Sequence, residues 1–220
     1  MISNSRPYYR SILAVDIEDS ATRNNSAKAH MRAAMYDLVI EAFAISGLAE
    51  HDHDPFIDRG DGILALIHPT DHVPKTVLLD TVVPGLSQLM TLHNLCYPTD
   101  GFRLRAVLHA GEVHHDGRAP FGEALDVAFR LLDARETKLA LRRSTAPLML
   151  VVSEQIYQSV VRHRYEGIDP LSFTPFDGRH AVRGWLHAPA PPMASAQPLF
   201  PGFREQQTPR IEKHPTNHRS

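Results

Sequence analysis

The sequence predicts one α+β domain: a central, antiparallel-rich sheet with helices packed against it. Three observations carry that prediction. Short apolar runs rich in β-formers, such as YRSILAVDI at 9–17 and LMLVVS at 148–153, alternate with longer stretches of helical periodicity. Some runs are joined by tight-turn residues, DRGDG at 58–62 above all, which implies hairpins. The chain has 220 residues, enough to bury a core without disulfide or metal staples.

The elements follow in order. Residues 9–17 are read as a buried central strand ending at Asp16, and EDSATRN is a loop leading to a helix start. Met31, Met35, Leu38, Ala42 and Ile45 then recur at helical spacing, and Gly47 ends that helix. The DRGDG turn joins strands around Phe56 and at Ile63–Ile67. Residues 75–95 form a second helix, kinked or split by Pro84. FRLRAVLHAGEVHH is a strand with a turn at Gly111, and FGEALDVAFRLLDARET is a third helix with Leu125, Phe129 and Leu132 on one side. After LMLVVS, SEQIYQSVV is a short helix capped by Ser153 with Glu154 in its first turn. Two strands follow within 171–187, the last being HAVRGWLH. The order β-α-ββ-α-β-α-β-α-ββ is a ferredoxin-like plan with additions, its helices on one side of the sheet.

Composition narrows the function classes. Lys plus Arg is 23 and Asp plus Glu 25, a net charge of −2, which disfavours nucleic acid or a membrane surface as partner. A single cysteine, Cys96, allows no intrachain disulfide and fits a reducing, cytoplasmic setting. No run approaches the length of a membrane span, and the N-terminus has no signal-peptide pattern. Seven of the 17 prolines lie in the 33 residues from Ala188 to Ser220. That segment is read as an extended, solvated tail beside a domain of residues 1–187, with Leu199, Phe200 and Phe203 as its only apolar cluster.

Two aspartates occupy special places. Asp16 follows ILAV at the end of the first strand, where a carboxylate is costly unless paired, capping or bound to a metal. Asp61 sits at a hairpin tip, where Asp-Gly is also simply a favoured turn. If the strands are neighbours, the two carboxylates converge, and such oxygens suit Mg²⁺ or Mn²⁺. The loop after Asp16 offers Ser20 and backbone amides ahead of a helix, which is a weak anion-site signal. Asp126 and Arg130 stand one helical turn apart, as a surface ion pair would. Arg183 precedes a glycine in a short strand, where a solvated role is the ordinary one. The histidines of HDHD (51–54) and HH (114–115) are loop-like and lack zinc-site spacing, so no histidine metal site is expected. There is no Walker loop, GxGxxG or GxSxG.

Taken in order, VDIE (15–18), RGDG (59–62), RAVLHAGEV (105–113), FGEALDVAFR (121–130) and VRGW (182–185) resemble the catalytic domain of class III nucleotidyl cyclases, from Ser11 to His187. The resemblance implies that Asp16, Asp61 and the Ile17 carbonyl hold two divalent cations, Mn²⁺ or Mg²⁺. One would activate the ribose 3′-hydroxyl and the other hold the triphosphate. It implies that Arg130 stabilises charge at the α-phosphate and that Arg183, where the family has lysine, contacts phosphate. It also implies a homodimer, each site taking metals from one subunit and the helix arginine from the other.

The departures matter as much. The family's helix asparagine is Asp126 here, which accepts hydrogen bonds but donates none. The two purine-selecting positions hold Ile57 and Ala119, neither able to hydrogen-bond a base through its side chain. A compact chain with VDIE and DRGDG and without purine determinants is similar to the bacterial pyrimidine cyclases of Pycsar antiphage defence. That implies UTP or CTP as substrate and cyclic UMP or cyclic CMP as product. The product would activate a separate effector protein that meets this chain only through it. UTP is the preferred reading, although no residue selects uracil over cytosine. Base contacts are expected from Phe56, Ile57 and Asp58 and from the strand bearing Arg103 and Arg105. A purine cyclase with atypical selectors, and a non-catalytic nucleotide-binding or dimerisation module, are the alternatives.

Overall fold

The computed structural model describes residues 6–179 and 182–189. The tail from Ala190 onward, with Leu199, Phe200 and Phe203, lies outside the described residues.

The central strand β1 (Tyr8–Ile17) pairs antiparallel with β3 (Gly62–Ile67) on one side and with β4 (Leu104–His115) on the other. Strand β6 (Leu148–Ser153) runs parallel to β4, and β8 (Arg183–His187) and β7 (Thr174–Asp177) complete that side antiparallel. With β2 (Ile57–Asp58) at the other edge, the order is β2-β3-β1-β4-β6-β8-β7, and β5 (Pro120–Phe121) pairs with the end of β4. The expected α+β architecture is therefore present, with one parallel pair in an otherwise antiparallel sheet.

Helices cover both faces of this sheet, not one. Leu13, Val15 and Ile17 of β1 face a core shared with Met31, Met35 and Val39 of α1 (Asn25–Ile45) and Leu86 and Met90 of α3 (Val83–Cys96). Ile12 and Ala14 face the opposite core, with Leu125, Ala128 and Leu131 of α4 (Glu123–Leu132). The continuous apolar run ILAV is the consequence: a strand buried on both faces does not alternate with polar residues.

Three local expectations are corrected and one holds. On α1 the buried stripe is Met31, Met35, Val39, Ala42 and Phe43, whereas Leu38 and Ile45 are half-buried. The helix expected over 75–95 is divided just before Pro84, as the proline implied. A π turn over Leu78–Val82 joins α2 (Lys75–Val77) to α3, and the wider turn accommodates the missing proline N–H where the helical segment changes form. Gly111 makes no turn, because β4 runs straight through it opposite Arg10. A Cβ there would stand 2.7 Å from the Ala124 Cβ, so the glycine serves the close approach of α4 to the strand. The third helix ends at Leu132, and a separate α5 (Arg135–Arg143) follows. The buried Thr137 hydroxyl donates to the Leu131 carbonyl at 2.8 Å and holds the corner between them.

Candidate active site

Asp16 and Asp61 do converge, where β1 ends and β3 begins. Asp16 pairs in register with Gly62, and the Ile17 amide donates to the Asp61 carbonyl at 2.9 Å. The turn is shaped by Gly60, at φ +84°, whose amide donates to Asp58 Oδ1 at 2.6 Å. Ser20 donates its hydroxyl to Asp61 Oδ2 and so links the loop after β1 to the hairpin tip. Two adjoining clefts, of about 240 and 280 Å³, open here and share Ile17, Ser20, Ala21 and Asp61.

The larger part of the site's logic is electrostatic. Asp16 is 7 % exposed, and burial, reinforced by the neighbouring Asp61 charge, pushes its carboxyl up to about 6 despite Arg105. Arg105 reaches Asp16 at 3.3 Å, the Leu132 carbonyl at 3.2 Å and Asp133 at 3.5 Å. Across the first cleft stand Lys138, 3.1 Å from Asp133, and Arg142, 3.2 Å from Asp19. One wall is thus carboxylate (Glu18, Asp19, Asp61, with Asp16 behind them) and the other cationic (Arg105, Lys138, Arg142). Sequence reading missed Lys138 and Arg142. The expected third helix stops at Thr137, before either residue, and it is the corner after Leu132 that aims α5 and both side chains here.

The remaining site candidates divide. Arg103 is held by Glu18 at 2.8 Å and by the carbonyls of Leu141 and Ser144 at 3.0 and 2.9 Å, so it ties the end of α5 to β1. Ile57 packs against the α4-side core, and Phe56 stacks on His53 and meets Phe43 edge to face on the other, away from the clefts. Asp58 is paired with Arg32 of α1, which holds its carboxyl down at about 2. Asp126 and Arg130 are exposed on α4 and form no ion pair with each other among the described residues. Arg130 borders a separate cleft of about 760 Å³ that shares Lys138 and Arg142 with the first. Arg183 is exposed at the start of β8, 3.7 Å from Asp177 and above the Trp185 ring. Within one chain, Asp126, Arg130 and Arg183 do not line the clefts beside Asp61.

No protein-family model and no curated protein matches the chain. Solved structures do. The guanylyl cyclase Cya2 superposes with a TM-score of 0.58 at 11 % identity, over 82 % of this chain and 91 % of that one. The adenylate/guanylate cyclase/hydrolase from Silicibacter pomeroyi gives 0.57 at 19 % identity, over 83 % and 97 %. The adenylyl cyclase CyaB from P. aeruginosa gives 0.54 at 12 %, over 83 % and 94 %. The fold is that of nucleotidyl cyclase catalytic domains. At these identities the cyclase fold is what is shared, and it spans nearly the whole of each neighbour.

Proposed function

We propose that this chain is a divalent-metal-dependent nucleotidyl cyclase that turns a nucleoside triphosphate into a 3′,5′-cyclic monophosphate and pyrophosphate. The observation that carries the reading is the two-sided cleft at the end of β1. Its carboxylate wall and its cationic wall match the two halves of a metal-bound triphosphate, within a cyclase fold.

The donor set fits hard cations. Asp16, Asp61 and the Ile17 carbonyl offer only oxygen. Asp16 is buried beside a second carboxylate, a charge balance that a divalent cation would relieve. Glu18 Oε1 is buried in the same cleft without a hydrogen-bond partner. A Cβ on Gly62 would stand 2.2 Å from Asp16 Oδ1, so the glycine keeps open the space this carboxylate occupies. Two such ions, Mn²⁺ or Mg²⁺, would acidify the 3′-hydroxyl and neutralise the phosphates when bound.

The chain's own side chains do the rest. Arg105, Lys138 and Arg142 attract and orient the triphosphate, and Ser20 holds Asp61 in place. The ribose 3′-oxygen attacks the α-phosphorus in line; its proton passes to water, and the bond to the pyrophosphate oxygen breaks. Arg130 stabilises the charge that develops at the α-phosphate. Because Arg130, Asp126 and Arg183 stand exposed outside the aspartate clefts, the site is completed by a second copy: a homodimer with two composite sites.

The substrate is read as a pyrimidine nucleotide, UTP ahead of CTP. Ile57 and Ala119 bring no side-chain hydrogen-bonding group to the two base-selecting positions. Cyclic UMP or cyclic CMP would then act in the cytoplasm as an antiviral signal to a separate effector, with the cyclase unit spanning residues 1–187 and the tail outside it. The purine reading is favoured by one finding, that the structural neighbours are adenylyl and guanylyl cyclases. Incubation with each of the four triphosphates and Mn²⁺, read by product mass, tests both. A cyclic pyrimidine product supports the proposal, a cyclic purine product corrects the substrate, and no product with any triphosphate overturns the activity.

A further inference from the structure

The HDHD stretch has no part in the cyclase reading, yet the fold gives it a partner. His51 and Asp52 lie in the 3₁₀ turn Glu50–Asp52 between α1 and β2, and His72 lies in the turn after β3. Asp52 Oδ1 stands 3.6 Å from His51 Nε2 and 2.6 Å from His72 Nε2, and the three ligand atoms lie within 4.8 Å of one another. The sequence hides this, since the second histidine comes twenty residues after the aspartate and from another loop.

Three features make this group more than a chance cluster. Asp52 is 1 % exposed and its only ion-pair partners among the described residues are the two imidazoles, so a buried carboxylate faces no permanent cation. By contrast Asp54, two residues on, is satisfied by Arg10 at 2.9 Å. The Asp52 carboxylate is also preset. The Ala49 amide donates to Oδ2 at 2.9 Å, which turns Oδ1 toward the histidines, and the His68 amide donates to the Asp52 carbonyl at 2.7 Å. Finally, both imidazoles are exposed, His51 at 77 % and His72 at 58 %, so each can adjust and an ion can enter from solvent.

We propose that His51, Asp52 and His72 form a binding site for one divalent late-transition-metal ion, with Zn²⁺ as the probe. Two imidazoles and one carboxylate suit Zn²⁺, Ni²⁺ or Cu²⁺ over Mg²⁺. Zn–N and Zn–O bonds of about 2.0–2.2 Å place tetrahedral ligand atoms roughly 3.3–3.6 Å apart, a spacing the His51–Asp52 contact already has. The ion would replace the His72–Asp52 hydrogen bond and leave an open position for water. It would join the segment entering β2 to the segment leaving β3, at the base of the hairpin whose tip is Asp61. The ion acts there as a staple. The site shares no residue with the Asp16–Asp61 clefts, so it stands or falls independently of the cyclase activity.

The test uses the full chain stripped with chelator and titrated with ZnCl₂, as wild type, H51A/H72A and D61A, read by calorimetry and thermal melting. Wild type and D61A should each show a binding class that H51A/H72A lacks, unaffected by excess Mg²⁺, with a zinc-dependent rise in Tm that the double variant loses. Each single His→Ala should weaken that class at least about tenfold. Equal zinc stoichiometry and affinity in wild type and double variant overturns the site, as does a wild-type affinity weaker than about 1 mM. If the double variant melts early even in chelator, H72Q serves instead. In parallel, Co²⁺ loaded on D61A should show a visible spectrum that the added H72Q change abolishes; an unchanged spectrum is equally fatal.

Discussion

Asp16 is held in a buried position whose cost to stability Arg105, at 3.3 Å, offsets only in part. Its carboxyl is raised by burial to about 6, so the folded chain holds this proton more tightly than the unfolded chain does. Between about pH 4 and pH 6 the unfolded state has already lost the proton, and stability from this group falls as pH rises. D16N should therefore stabilise the metal-free protein by on the order of 1–3 kcal/mol near pH 8, with the gain vanishing near pH 4, while abolishing cyclisation. Denaturant melts at the two pH values check this, and a variant less stable than wild type at the higher pH contradicts it. D61A should abolish turnover with the fold intact; robust activity with Mn²⁺ present would end the metal assignment. G62A should fail differently, because its methyl group would meet Asp16 Oδ1 and the Val15 carbonyl at 2.2 and 2.4 Å. We expect a loss of about 1–3 kcal/mol in stability together with activity.

Strand β4 and helix α5 each carry side chains whose roles can be separated by substitution. His109 of β4 is buried, its Nδ1 2.7 Å from the Ser153 hydroxyl, and burial pushes its pKa down to about 4. The unfolded chain binds this proton more readily, so stability from His109 is lost as pH falls below about 6.5, opposite in sign to Asp16 over nearly the same window. H109Q should flatten the acid side of the melting profile relative to wild type, and an unchanged profile would show that His109 does not titrate with folding. On α5, K138A and R142A are exposed changes that should leave the fold unaltered and raise the nucleotide KM about tenfold each with a smaller effect on kcat, which steady-state kinetics separates. On α4, R130A should instead cost about two or more orders of magnitude in kcat. The element boundaries behind these predictions were only partly legible. FGEALDVAFRLL announced a helix by its periodicity, but the corner after Leu132 depends on Thr137 reaching the Leu131 carbonyl, a tertiary satisfaction with no local signature.

At the scale of the whole molecule, Arg130 of α4 stands outside the clefts lined by Asp61, on a neighbouring cleft that shares Lys138 and Arg142 with the first. Under the proposed composite homodimer, mixing D61A with R130A should restore up to a fraction of wild-type activity, since a mixed dimer would hold one intact site. No recovery across a range of mixing ratios would refute the shared site. Under the same proposal, specific activity should also fall on dilution, as a dissociating dimer would lose its shared sites. No helix among the described residues is long and apolar enough to cross a membrane.

The sequence by itself determined that residues 9–17 form a buried central strand, that a glycine-bearing turn leads into the strand at Ile63–Ile67, and that Asp16 and Asp61 meet if those two strands are neighbours. Those facts are local, written in apolar runs, turn residues and the cost of a carboxylate after ILAV. Only the tertiary structure decided that helices lie on both faces, that Gly111 serves helix approach and makes no turn, that Lys138 and Arg142 form the cationic wall, and that His72 comes to Asp52. Each of these depends on which distant segments meet. Contacts between residues twenty or more apart are set by packing of the whole core, not by the spacing of letters along the chain.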